Sequence, residues 1–288
     1  MKNVIPFLLF LLLSFAAISC SDDKEEEEVV PLPEKLQLSK LTVTSTERPG
    51  YPLTVTFDYH GELLKFYKET DTNGKVMVNA LLDYDDLARL SQMASLIDSY
   101  QNPSPSTIAD KRQNITYDAS GRLSLIILTE KWAGDVANYH YTLNYHFSYD
   151  NQGRISSIRE SMPPSLGIQS DHVFDYDAKG NVIRYRIHVI NSGVKEPAVI
   201  DMAITYDDKK NPFYKLGSIL APYGLPHPYL NSFIYHLSPN NPVSIKYTQT
   251  LYTSTLEFTL SYSYNKSGYP TEIYFDDTTH KLEYLEQQ

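Results

Sequence analysis

The feature that most constrains this chain is a short device that recurs along it about every 30 residues: an aromatic residue, an Asp or Asn, two variable residues and a Gly. It is clearest in "ITYDASGRLSLI" with Tyr117, Asp118 and Gly121, in "FSYDNQGRISSI" with Tyr149, Asp150 and Gly153, and in "FDYDAKGNVIRY" with Tyr176, Asp177 and Gly180. Looser copies are "YSYNKSGYPTEI" with Tyr264, Asn265 and Gly268, "ITYDDKKNPFYK" at Tyr206 and Asp207, and "FIYHLSPNNPVS" at Tyr235. "TFDYHGELLKFY" supplies Phe57, Asp58 and Gly61, and "LDYDDLARL" at Tyr84 and Asp85 fills the remaining slot without a glycine. An Asp or Asn at the first turn position bonds its own backbone, and a Gly three residues on takes the left-handed conformation of a bulged type I turn. The unit is therefore a β-hairpin.

The flanking segments alternate as half-buried strands do. In "YTLNYHFSY", Tyr141, Leu143, Tyr145, Phe147 and Tyr149 share one face, against Thr142, Asn144, His146 and Ser148 on the other. "LEFTLSYSY" repeats the pattern, with Leu256, Phe258, Leu260, Tyr262 and Tyr264 against Glu257, Thr259, Ser261 and Ser263. Eight slots of two strands each allow up to sixteen antiparallel strands, and a sheet that large must curl, split or close. The expected fold is all-β: an antiparallel hairpin-repeat meander, curved or barrel-like, with one short accessory helix. That helix is expected in "DDLARLSQMASLIDSY", where Leu87, Leu90, Ala94 and Ile97 fall at helical spacing behind an Asp85 or Asp86 cap. The prolines of "NPFYKLGSILAPYGLPHPYLNSF" forbid a central strand and predict a long ordered loop.

In "HVFDYDAKGNVIRYRI", Asp175, Asp177 and Gly180 nearly match the spacing of a calcium loop. A calcium loop needs further oxygen ligands ending in a bidentate acid. Here Lys179 occupies one ligand position and no Glu closes the loop, so the stretch reads as a turn; no metal and no cofactor is expected.

The first residues, "MKNVIPFLLFLLLSFAAISC", form a secretory signal: one Lys, then an apolar run too short for a stable spanning helix. Three regions follow: 1–19 a signal peptide, 20–35 an acidic tether beginning at Cys20, and 36–288 the hairpin-repeat domain. Ala17-Ile18-Ser19-Cys20 resembles a bacterial lipobox, with Ala17 where that family usually has Leu; the resemblance implies that Cys20 is acylated. Cys20 is the chain's one cysteine, so the fold has no internal disulfide. The run "SDDKEEEEVVPLPEK" has no apolar periodicity and reads as a solvated spacer. It also resembles the acidic export signal of surface lipoproteins in Bacteroides-type bacteria, which implies an outer-membrane, surface-exposed address. A formal net charge of -10 without a Lys/Arg stripe argues against a nucleic-acid partner.

The Tyr-Asp-x-x-Gly-Arg pieces are similar to the YD repeats of Rhs-type wrapping proteins. Together with the lipoprotein signal, "YDDKKNPF", "SPNNPV" and "YNKSGYPTEI" resemble a family of Bacteroides-type outer-membrane lipoproteins expected to have a porin-like β fold. These are turn motifs, so the resemblance speaks to fold and not to chemistry. A membrane-embedded barrel is disfavoured, because the apolar strand faces are tyrosine-rich rather than aliphatic bands with aromatic rims. The charged "KLEYLEQQ" is expected to contribute no closing strand.

Neither a G-x-S-x-G nor an H-E-x-x-H nor a Gly-rich phosphate loop occurs, and no catalytic residue is proposed. The histidines are dispersed and read as solvent-facing. For ligand binding the candidates are Tyr223, His227 and Tyr229, held on the proline-stiffened "APYGLPHPYL", and Trp132 in the inter-strand segment "EKWAGDVANYHY". Aromatic rings there can stack on sugar faces, and the same loop can equally plug a sheet opening. The expected role is non-catalytic binding of a glycan or envelope component at a lipid anchor. A structural or protein-interaction module is the alternative, and a cryptic glycoside hydrolase stands third.

Overall fold

The computed structural model describes residues 36–46, 53–98, 108–132, 141–162, 169–221, 232–250 and 254–285. Sixteen strands follow one another: β1 (Leu38–Ser45), β2 (Leu53–His60), β3 (Leu63–Thr70), β4 (Val76–Tyr84), β5 (Leu90–Asp98), β6 (Ile108–Tyr117), β7 (Leu123–Trp132), β8 (Tyr141–Tyr149), β9 (Ile155–Ser161), β10 (Gln169–Tyr176), β11 (Val182–Asn191), β12 (Val194–Lys210), β13 (Asn240–Gln249), β14 (Ser254–Tyr264), β15 (Pro270–Phe275) and β16 (Thr278–Tyr284). One helix, α1 (Ser232–Leu237), lies between β12 and β13. Each strand pairs antiparallel with the next, and β16 returns to pair with β1, closing the barrel. Closure leaves no edge strand to template aggregation. The closing strand contains Lys281-Leu282-Glu283-Tyr284, so the expectation that this C-terminal segment forms no strand is corrected. Its alternation is intact, with Leu282 inward at 5% exposure opposite Leu41 at 0%.

Inward side chains form one continuous apolar cluster drawn from strands all round the wall. Leu41, Val55, Leu82, Ile158, Val182 and Tyr185 are completely buried, each contributing roughly 1.5–3 kcal/mol relative to exposure. The 212–237 connection enters this core: Phe213, Ile219, Phe233, Ile234 and Tyr235 belong to the same cluster. Phe233 meets His172, Phe174 and Tyr185 edge-on at 5.4, 5.9 and 6.4 Å, on the β10–β11 side. Ser218 donates to the Gln113 side chain on β6. The described parts of the connection thus pack against β6 and against β10 and β11, and a short helix begins at the end of the segment expected to be a loop and runs into the repeat copy read at Tyr235. Tyr235, read in the sequence as a hairpin anchor, is instead a fully buried residue of α1.

The outer face is charged along the strands. Arg159 pairs with Asp171 at 2.8 Å, Arg186 with Asp175 at 2.7 Å, Arg184 with Asp201 at 2.6 Å and Lys40 with Glu283 at 2.7 Å, each across neighbouring strands. A lipid-facing barrel instead carries an apolar band about 25 Å tall. Among the described residues the outer face carries these ion pairs beside scattered exposed apolar residues such as Leu81, Leu96 and Leu256, and the inward side chains pack as one cluster.

The accessory helix expected over 85–100 is absent: Leu90–Asp98 is β5. Asp85 closes a turn, accepting from the Leu87 and Arg89 amides at 3.0 and 2.9 Å. Inside β5, Met93 and Ser95 point inward at 2% and 6% exposure, whereas Leu96 points outward at 53%. A polar residue inside and an apolar one outside erase the alternation and leave a helix-like spacing.

Candidate functional site

One Asp-x-x-Gly turn, Asp71 to Gly74, stands at one end of the barrel, while the turns of the repeat lie at the other and form a rim where an interlocked unit recurs. Asp118 shows it: its Oδ1 accepts from the Ser120 and Arg122 amides at 2.9 Å each, and its Oδ2 accepts from Arg122 Nε at 2.9 Å. The Arg122 backbone amide holds the Asp118 carboxyl below the usual carboxylate range. Asp150 repeats this with Gln152 and Arg154, and Asp177 with Lys179 and Asn181. Gly121, Gly153, Gly180 and Gly268 have φ between 77° and 89°, the left-handed region their turns require. The oxygens of Asp177 are thus occupied by N–H donors of its own turn. Asp58 departs from its expected role: it lies within β2, facing out, because Gly61 and Glu62 make a two-residue turn after His60.

At each of the eight strand junctions of this end the register slips by one residue beside a tyrosine. The bulged odd strand often answers through a hydroxyl, as where Ser124 donates to Thr116 O at 3.0 Å. Eight tyrosines, one from each even-numbered strand, donate to a carbonyl at the start of the preceding strand. They are Tyr59 to Leu38, Tyr84 to Leu64, Tyr117 to Leu90, Tyr149 to Leu123, Tyr176 to Ile155, Tyr206 to Val182, Tyr262 to Pro242 and Tyr284 to Pro270, at 2.6–3.0 Å. Burial raises the pKa of all eight hydroxyls, with Tyr84 and Tyr149 pushed up to about 12. The turn arginines complete the interlock: Arg89 lies over Tyr117, Arg122 over Tyr149 and Arg154 over Tyr176, 4.4–4.6 Å from the ring centroids.

Among the described residues, two hollows lie within this rim against the lumen connection. The larger, about 530 Å³, is lined by Tyr59, Tyr84, Tyr117 and Glu62 of the rim and by Tyr214 and Lys215 of the connection. The smaller, about 250 Å³, lies against Tyr149, Tyr176, Arg154 and Lys179, again with Tyr214 and Lys215. Lys215 has φ +55°, a conformation costing a non-glycine residue about 1–2 kcal/mol, and its amide donates to His236 O at 3.1 Å. Its ammonium sits 4.9 Å from the Tyr214 ring centroid. Desolvation, with Lys215 nearby, pushes the His236 imidazolium down to about 4. Backbone strain of this kind gathers at ligand clamps.

The residues picked from sequence fall differently. Tyr223, His227 and Tyr229 lie outside the described residues, as does Cys20. Trp132 is the last residue of β7, its Cα paired with Ala109, and not part of an inter-strand segment. Since β7 starts at the turn end, Trp132 stands at the opposite end, roughly 30 Å of strand away.

A second polar cluster sits in the wall, and sequence reading missed it. His172, expected to face solvent, is 5% exposed. Its Nδ1 meets Tyr185 Oη at 2.6 Å, and its Nε2 meets both Glu160 Oε2 at 3.2 Å and Ser170 Oγ at 3.3 Å. A nucleophile relay needs acid and hydroxyl on opposite ring nitrogens. Here Glu160 and Ser170 share one nitrogen and the opposite hydroxyl is buried, so the cluster supports Phe233 of the connection rather than chemistry. Inward parity at positions 158, 160, 172 and 174 was the signal that could have found it.

No family model and no curated protein matches this chain. Solved structures similar in fold include a porin-like protein from Bacteroides uniformis ATCC 8492, at 14% identity and TM-score 0.49, covering 86% of this chain and 96% of that one. A porin-like protein from Bacteroides vulgatus ATCC 8482 aligns at 13% identity and TM-score 0.43, covering 88% of this chain and 100% of that one. The Photorhabdus luminescens Tc holotoxin pore aligns at 10% identity and TM-score 0.20, covering 78% of this chain and 15% of that one. At these identities and scores the likeness carries no inference about activity.

Proposed function

We propose that this chain is a non-catalytic binding lipoprotein of the cell envelope, held through a lipid on Cys20 with its barrel in water, whose turn-end rim receives a saccharide. The observation that carries the reading is the pair of tyrosine-lined hollows around the strained Tyr214-Lys215 stretch, on a barrel with a charged outside and a packed inside. The inward packing of the described residues, including Phe213, Ile219, Phe233 and Ile234 of the connection, supports a binding role over a conducting one. Rigid rims that present aromatic rings lose little entropy on binding, and such rings stack on the apolar faces of sugars. Acylation of Cys20, a signal peptide over 1–19 and outer-membrane surface display belong to this proposal. So do contacts from Tyr223, His227 and Tyr229, which share the Tyr214 connection in sequence.

A polysaccharide and glycan-array screen of the purified chain tests it, beside Tyr214→Ala and a variant with Tyr223, His227 and Tyr229 changed to Ala. Binding by the native chain that Tyr214→Ala weakens supports the reading. Absence of binding across the array counts against it and favours a protein-interaction role.

A further inference from the structure

The two hollows differ in charge. Glu62 lines the larger, whereas no carboxylate lines the smaller, whose walls hold Arg154, Lys179 and Lys215 with Tyr149, Tyr176 and Tyr214. Arg154 is already neutralised by Asp150 at 2.8 Å. Among the described residues, neither Lys179 nor Lys215 forms an ion pair. Lys179 and Lys215 therefore both line one concavity that no carboxylate lines, Asp208 lying within electrostatic reach of Lys179 but outside the lining, and Lys215 is held there with its backbone left-handed at φ +55°. Converging like charges beside low-dielectric walls raise the local concentration of counter-ions.

Resting on the saccharide reading above, we propose that the smaller hollow binds the anionic group of an acidic saccharide, a carboxylate or sulfate on the sugar, with Lys179 and Lys215 as its counter-ions. A volume of about 250 Å³ is below the roughly 300–1,000 Å³ of a whole small-molecule pocket. It suits one sugar unit. The shared lining by Tyr214 and Lys215 lets the neighbouring unit lie in the larger hollow.

The test is isothermal titration of the purified chain with polygalacturonate, dextran sulfate and uncharged dextran, on the native protein and on Lys179→Gln, Lys215→Gln and the double variant. Lys246→Gln, which removes the same charge from the exposed outer face of β13, controls for general electrostatics. The expected result is binding of a charged polymer and not of dextran, with about tenfold loss for each lysine and little change for Lys246→Gln. Polygalacturonate and dextran sulfate distinguish a carboxylate from a sulfate as the anion. Unchanged affinity in the double variant, or an equal loss in Lys246→Gln, overturns the assignment of the hollow. Binding of dextran as tightly as of the charged polymers overturns the acidic specificity and leaves the saccharide reading standing. No binding of any of the three overturns the inference, and with the array also silent the saccharide reading falls too.

Discussion

The guanidinium of Arg122 lies 4.6 Å over the ring of Tyr149, so the turn of one hairpin grips the last strand residue of the next. Arg122 is fixed by Asp118 of its own turn, and the Tyr149 hydroxyl donates to Leu123 O at 2.7 Å. The Tyr-Asp-x-x-Gly-Arg motif thereby fastens adjacent hairpins to one another. Removing the hydroxyl with Tyr149→Phe leaves the ring and its stacking and deletes one hydrogen bond. A loss of about 1 kcal/mol is expected, read as a lower midpoint in urea unfolding with an unchanged slope.

The fourth position of the turn at Asp85 holds Ala88 at φ 58°, where the copies at Asp118, Asp150, Asp177 and Asn265 place glycine. Ala88→Gly relieves the left-handed penalty of about 1–2 kcal/mol and restores some unfolded-state entropy. The net expectation is stabilisation by about 0.5–1 kcal/mol. Gly180→Ala, at φ 89° with open space around the added Cβ, is expected to destabilise by a similar amount through the backbone alone. Thermal unfolding of both variants checks the pair, which should move in opposite directions.

Lys111 Nζ meets Glu130 Oε2 at 2.7 Å inside the wall, with the Glu130 side chain only 2% exposed. Lys111→Met removes the ammonium partner of a buried carboxylate and is expected to cost about 3 kcal/mol. The double variant Lys111→Met/Glu130→Leu recovers most of that loss, because the desolvation cost disappears with both charges. A double-mutant cycle in denaturant measures the difference.

His280 is 2% exposed, opposite Val43 and Ile273, and its Nδ1 has no hydrogen-bond partner among the described residues. Burial pushes its pKa down to about 4 from an unfolded value near 6.5. The unfolded chain therefore binds this proton first as pH falls, so stability contributed by the neutral ring is complete above 6.5 and declines towards 4. That amounts to about 3 kcal/mol for this group. The rim carboxylates Asp85, Asp118 and Asp150, held below their ordinary range by hydrogen bonds from their own turns, are lost only at lower pH still. His280→Leu is expected to flatten the stability profile between pH 6.5 and 4, measured as the native-minus-variant difference so that His236 cancels.

Hairpins were legible because turn chemistry is local: Asp118, Gly121, Asp150 and Gly153 each act within five residues of chain. Strand number followed from the spacing of the repeats. The tyrosine rim was harder to read, because Tyr59, and not the anchor Phe57, reaches the Leu38 carbonyl, and Tyr262, two residues before the anchor Tyr264, reaches Pro242. Long-range partners of that kind depend on the register, which slips at each bulge. β5 was misread because Ser95 points in and Leu96 out. Closure by β16 was hidden because its outward residues, Lys281 and Glu283, are charged. Lys215 carried no signal, since its place in the hollow comes from a backbone conformation and from the packing of α1.

We propose that the barrel wall faces water and that a lipid on Cys20 holds the chain to a membrane. The most direct measurement is vesicle flotation of residues 35–288, produced without the leading segment and without detergent, with circular dichroism to confirm the β fold. The account predicts a cooperatively folded barrel that stays in the aqueous fraction. A barrel that needs detergent to fold, or that floats with the vesicles, contradicts it.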